Sequence, residues 1–200
     1  MKILAFTDVH CDAKSMNELA SKSKKADFLI CAGDLTIFGR DYRELLQIIN
    51  RFNKPCFIIP GNHETDELLK DASFGLINIH NIDKKIVEFG NYIIIGYGGG
   101  GFAIKDERFE KLAKLFSKKI KSLKKKSSKV ILVTHQPPYG TAVDKIHKQH
   151  AGNKSFTKFI NEEKPHLVIC GHLHETAKKK DKIGKTEVIN PGWEGMFVEL

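Results

Sequence analysis

Cys56-Phe57-Ile58-Ile59-Pro60-Gly61-Asn62-His63-Glu64 carries a short apolar run straight into a glycine and three residues able to hold a metal or a proton. The same grammar recurs along the chain. Ile3 to Phe6 is followed by Asp8 and His10, Phe28 to Ala32 by Gly33-Asp34, Val130 to Thr134 by His135, and Leu167 to Cys170 by Gly171-His172-Leu173-His174. Short apolar runs rich in β-branched residues read as strands. In open α/β sheets, ligands bind beyond the carboxyl ends of strands, so these turns are predicted to converge on one site despite their separation in sequence.

Another apolar run, Tyr92 to Tyr97, completes the main strand set, and helix-like stretches lie between the runs at Met16 to Lys24, Tyr42 to Phe52, Glu67 to Lys70, Phe109 to Leu123 and Phe156 to Glu162. That alternation points to an α/β fold. Asp41 reads as the N-cap of the second helix, with Glu44 closing a capping box. Thr186 to Ile189 and Met196 to Leu200 read as strands with only Asn190-Pro191-Gly192 as the turn signal between them, so the end is β-rich. With 200 residues, 41% of them hydrophobic, and no repeat or biased linker, a single domain over 1–200 is expected.

No apolar run approaches the length of a bilayer crossing, and Asp8 and His10 interrupt the first one before a signal peptide could be complete. The four cysteines, Cys11, Cys31, Cys56 and Cys170, form no CxxC pair, which predicts reduced thiols in a cytoplasmic protein without membrane contact. Three of them sit in or beside strand-like runs as small buried hydrophobes; Cys11, next to His10, lines the site wall. A net charge of +9 admits nucleic acid, a nucleotide or another phosphorylated partner. The densest basic run, Lys118 to Lys129, continues an amphipathic pattern set by Phe109, Leu112, Phe116, Ile120 and Leu123 and reads as the wet face of a helix. Lys178 to Lys182 reads as an exposed turn, and Gly98 to Gly101 as a flexible one. Arg40, Tyr139, His147 and His150 fall in loops that either border the pocket or face solvent.

Asp8-Val9-His10 and His172-Leu173-His174 place two donors on either side of an apolar residue that would pack behind them. Gly33, Gly61 and Gly171 each precede a proposed ligand and permit a sharp or positive-φ turn toward the site. Imidazole and carboxylate donors without thiolate suit manganese, iron, zinc or nickel. Seven candidates, Asp8, His10, Asp34, Asn62, His135, His172 and His174, exceed what one open ion takes, whereas two ions sharing a carboxylate would use them all.

These ordered blocks, D-x-H, G-D, G-N-H-E, a lone H and G-H-x-H, resemble those of the calcineurin-like metallophosphoesterases. His135-Gln136-Pro137-Pro138-Tyr139 with Gly140-Thr141, and Asn190-Pro191-Gly192, look most like the small prokaryotic Icc-related phosphohydrolases. The resemblance implies two packed mixed β-sheets flanked by helices. It implies Asp34 bridging two ions, with Asp8, His10 and His174 on one and Asn62, His135 and His172 on the other. It also implies hydrolysis of a phosphate mono- or diester by a metal-bridging hydroxide, with His63 protonating the leaving oxygen. Asp34 or Glu64 would orient that histidine, Glu64 being the preferred candidate. A nuclease or cyclic-nucleotide phosphodiesterase is the neighbouring alternative, and a non-catalytic scaffold the remote one.

Overall fold

The computed structural model describes residues 1–123 and 125–200. In chain order the strands are β1 (Lys2–Phe6), β2 (Phe28–Cys31), β3 (Cys56–Ile58), β4 (Ile79–Asn81), β5 (Lys85–Phe89), β6 (Tyr92–Tyr97), β7 (Lys129–Thr134), β8 (Lys145–Ile146), β9 (Gln149–His150), β10 (Leu167–Ile169), β11 (Lys180–Ile183), β12 (Thr186–Ile189) and β13 (Met196–Glu199). The helices are α1 (Ala13–Ser23), α2 (Tyr42–Asn50), α3 (Asp66–Ser73), α4 (Glu107–Leu123) and α5 (Lys154–Glu163). The first sheet runs β13-β1-β2-β3-β4, parallel except for β13; the second runs β11-β12-β10-β7-β6-β5, parallel except for its two outer strands β11 and β5. A two-stranded hairpin, β8-β9, stands apart.

Side chains alternate across a strand, and here both faces are apolar. In β2, Leu29 and Cys31 join Met16, Leu19, Leu46 and Leu69 beneath α1, α2 and α3, while Phe28 and Ile30 turn the other way to meet Ile94, Ile131 and Val133 of the second sheet. In β7, Ile131 and Val133 face that shared interior, whereas Val130 and Leu132 pack on Phe109, Phe116, Phe156 and Phe159 of α4 and α5. Three apolar layers therefore separate four layers of secondary structure, α/β/β/α, as the resemblance implied.

The amphipathic reading holds within α4, where Phe109, Phe116 and Ile120 are buried while Lys118, Lys119 and Lys121 are exposed, but the basic run outlasts the helix: Lys125 and Lys126 follow its end and Lys129 opens β7. Lys124 of that basic run lies outside the described residues. Two readings fail. Asp41 does precede α2, but its φ of 53° is left-handed, its side chain caps no helix N–H, and its carboxylate lies 3.4 Å from Arg40 Nε instead. The Lys178 to Lys182 segment is not a turn as a whole; from Lys180 it is edge strand β11, and the turn falls at Gly184-Lys185. Its alternating charged residues hid it, since lysines are what protect a sheet edge from further pairing. The outer strands β4 and β5 were missed for related reasons of shortness and polarity.

Phe109 is fully buried with its ring 4.6 Å from that of Phe156 and 5.0 Å from that of Tyr97. Phe109→Ala should lower unfolding free energy by about 3–5 kcal/mol in urea denaturation, the usual cost of emptying such a site.

Candidate metal centre

Each proposed ligand leaves its strand at the carboxyl end, and four of them do so through left-handed backbone: Asp8 (φ 55°), His10 (φ 49°), Asp34 (φ 52°) and His172 (φ 71°). Such conformations cost energy for a residue with a Cβ and gather at functional sites. The preceding glycines work differently from the sequence expectation. Only Gly33 takes positive φ (96°); Gly61 and Gly171 are required by close approach, because a Cβ on Gly61 would come 2.0 Å from Asp34 Oδ1 and one on Gly171 would come 2.0 Å from Thr7 Oγ1 and 2.6 Å from Asp8 Oδ2. Val9 and Leu173 are buried behind the turns, as expected.

Turns from the two sheets are tied together by hydrogen bonds. His135 is fully buried and its Nδ1 lies 2.8 Å from the carbonyl oxygen of Ala32, to which it donates. Asp8 accepts the backbone N–H of His172 on both carboxylate oxygens, at 3.0 and 3.1 Å. Asp34 Oδ1 accepts the backbone N–H of His63 at 2.9 Å, which leaves Oδ2 facing His135 Nε2 at 3.3 Å and the Nε2 atoms of His10 and His63 at 3.9 Å each. Asn62 Oδ1 stands 3.0 Å from His135 Nε2. All seven proposed ligands and His63 thus come together in one cluster.

The electrostatics follow from this packing. Burial alone would raise Asp34, but the hydrogen bond and charge of His135 outweigh it and hold the carboxyl at about 2. Burial would likewise depress His135, yet Asp34 raises it to about 9. His172 is pushed down to about 4, first by burial and then by the charge of His135, so its ring is neutral near pH 7. Its Nε2 is buried and has no hydrogen-bond partner among the described residues. Burial raises the Asp8 carboxyl despite the opposing charge of His135.

His10 Nδ1 meets the carbonyl oxygen of Thr36 at 3.0 Å and must be the donor there, so the neutral ring presents a lone pair at Nε2, 3.1 Å from His174 Nε2. Imidazoles that donate one nitrogen to a carbonyl and present the other are the usual form of metal-ligating histidine. Three overlapping groups, Asp8–His10–His174, His10–Asp34–His63 and Asp34–His135–His172, each bring their donor atoms within 4.8 Å and could hold an ion. The cluster opens into a cavity of about 520 Å³ lined by Ile37 and six of the site side chains.

Glu64 does not orient His63. Its buried carboxylate accepts the backbone N–H groups of Asp34, Thr36 and Gly61 and the hydroxyl of Thr36, at 2.8–3.1 Å, and so clamps the Asp34 turn to the Asn62 turn. His63 is held instead by the backbone N–H of Phe38, which donates to its Nδ1 at 3.2 Å. Cys11 is partly buried against the layer beneath α1 to α3, and Cys31, Cys56 and Cys170 are buried free thiols. His150 lies in strand β9 and not in a loop; it pairs with buried Asp144 at 2.7 Å and stands outside the cluster. In the glycine turn, Gly98 and Gly99 spend their N–H groups on Asp83 and Pro60, which leaves neither free for a phosphate. Sequence reasoning missed Phe38, Phe102 and Trp193, whose rings stand against His63, His172 and His174. No residue pattern in the chain signals such contacts.

Among known proteins, this chain is 32% identical to an uncharacterized protein of Methanocaldococcus jannaschii, MJ1162, over 99% of this chain and 91% of that one. It is 25% identical to a probable glycerophosphodiester phosphodiesterase, GpdQ, of Arcobacter nitrofigilis, over 76% of this chain and 58% of that protein. The crystal structure of TT1561 of Thermus thermophilus has the same fold, with a TM-score of 0.75 at 19% identity over 96% of this chain and 88% of that one. Residues 1–176 match the calcineurin-like phosphoesterase family, and the chain belongs to it.

Proposed function

We propose that the chain is a dinuclear metal-dependent phosphoesterase in which Asp8, His10 and His174 hold one ion, Asn62, His135 and His172 the other, and Asp34 stands between them. Members of this family typically depend on two metal ions. The observation that carries the reading is the position of Asp34 Oδ2, with His135 Nε2 on one side and His10 Nε2 on another, each in a donor group that could hold its own ion. The unpartnered Nε2 of His172 fits a nitrogen kept for a cation, as does the mutual approach of two nitrogens from His10 and His174. Oxygen and imidazole donors without thiolate suit manganese, iron, zinc or nickel.

When bound, the ions would neutralise phosphoryl oxygens and make an attacking water acidic enough to act near neutral pH. The chain supplies the rest. Glu64 fixes the two turns that present Asp34 and Asn62, so the donors are preorganised. Because Nδ1 of His63 accepts the Phe38 N–H, the neutral ring carries its proton on Nε2, the nitrogen facing Asp34 and the cavity. Nε2 is therefore the nitrogen assigned to the departing ester oxygen: its N–H donates a hydrogen bond in the neutral ring, and it transfers a proton from the imidazolium form, in which Nδ1 no longer accepts from Phe38. The resemblance to a probable glycerophosphodiester phosphodiesterase favours diesters over monoesters. A full set of donors weighs against a scaffold role.

The metal-depleted protein should regain hydrolysis of p-nitrophenyl phosphate esters with manganese, iron, zinc or nickel, and Asp34→Asn should abolish that recovery. Absence of turnover with every metal would contradict the proposal. His63→Ala should lower kcat about 10²–10⁴-fold for an alkyl leaving group, the range typical of a lost general acid, and much less for p-nitrophenolate, which needs no proton. Equal losses on the two leaving groups would remove His63 from that role.

A further inference from the structure

Three aromatic side chains stand around the mouth of the cluster, each from a different loop. Phe38, between β2 and α2, has its ring 4.5 Å from that of His63; Phe102, between β6 and α4, lies 4.7 Å from His172; Trp193, between β12 and β13, lies 6.1 Å from His174. They remain open to solvent, with relative exposures of 82%, 64% and 36%. A ring needed only to brace a histidine would be covered on its other face. Exposed apolar groups gathered at a cavity instead mark a place where something binds.

The backbone beside each ring is also held in place. Phe38 adopts a left-handed backbone (φ 51°), unfavourable for a bulky residue, while its N–H is fixed on His63. The carbonyl next to Phe102, that of Ala103, accepts from both Gln136 and Asn153 at 3.0 Å. The Trp193 turn is pinned by Lys22, whose ammonium donates to the carbonyls of Glu194 at 2.7 Å and Gly195 at 3.2 Å. An aromatic side chain on anchored backbone has only two χ angles to order on binding, which suits a stacking platform. Each ring adjoins a histidine that lines the cavity, so a flat group beside the bound phosphorus would meet an aromatic ring.

We infer that Phe38, Phe102 and Trp193 form an aromatic rim that selects phosphate esters bearing a flat aromatic group, a nucleobase or a simple aryl ring, beside the phosphorus. This rests on the phosphoesterase reading above and adds to it the class of ester group that the site prefers.

The metal-loaded full chain should be compared on four diesters sharing the p-nitrophenolate leaving group: the methyl, hexyl and phenyl esters of p-nitrophenyl phosphate, and thymidine 5′-(p-nitrophenyl) phosphate. Because the bond broken is common to all four, ratios of kcat/KM in the wild type, read against the same ratios in variants that lack the rings, isolate recognition of the other ester group. The phenyl and thymidine esters should exceed the methyl and hexyl esters by about tenfold, within the range of base–aromatic stacking. F38L, F102L and W193L, which keep apolar bulk but lose the flat face, should bring that ratio toward one. Thymidine above phenyl would assign the rim to nucleobases, and equal rates to aryl groups in general. A hexyl ester as good as the phenyl ester, or a ratio unmoved by all three variants, would overturn the inference. If no ester is turned over, the phosphoesterase reading fails on its own, and fluorescence still decides the rim, because Trp193 is the only tryptophan. Quenching by thymidine 5′-monophosphate but not ribose 5-phosphate would support it, and identical responses would overturn it.

Discussion

The Nδ1–H of His135 donates to the carbonyl of Ala32 across the gap between the two sheets, and Asp8 answers from the first sheet by accepting the backbone N–H of His172 from the second. Both bonds are buried or nearly so, where an unmade hydrogen bond is costly. They require the carboxyl ends of β1 and β2 to sit directly against those of β7 and β10. Once that register holds, donors separated by more than a hundred residues of chain share one cavity, and Asp34 finds itself between imidazoles from both sheets. Glu64 adds the lateral tie within the first sheet by binding the Asp34 and Asn62 turns to one carboxylate.

The cluster is built from backbone that resists its own conformation. Asp8, His10, Asp34 and His172 all carry positive φ, and glycine would relieve each of them, yet a glycine has no donor to offer. Glycines precede only Asp34, Asn62 and His172: Gly33 itself takes positive φ, Gly61 clears space for the Asp34 carboxylate, and Gly171 clears space for the Thr7 hydroxyl and the Asp8 carboxylate. Local strain of this kind persists only where surrounding packing over-determines it, and here the buried strands β2 and β3, with β1 beyond Lys2, provide that support.

The donor set was legible in the sequence because each donor follows an apolar run, and strand ends are where α/β sheets place their ligands. The central strands were legible for the same reason, being apolar on both faces. Edge strands were not, since β4 is three residues long and β11 reads Lys180-Asp181-Lys182-Ile183, with the composition of a loop. Nor was the work of Glu64, whose partners are mainly backbone N–H groups, up to thirty residues away, which leave no trace in residue type. Asp41 failed as a cap because its backbone entered the left-handed region, a property that sequence pattern does not encode. The aromatic rim was invisible since Phe38, Phe102 and Trp193 come together only when three loops do.

Crystals grown with manganese and measured by anomalous diffraction would test the dinuclear assignment most directly. Two peaks about 3.5–4 Å apart, the spacing of paired catalytic ions, with Asp34 between them, one beside His10 and His174 and the other beside His135 and His172, are the expected result. A single peak, or ions bound away from Asp34, would contradict it.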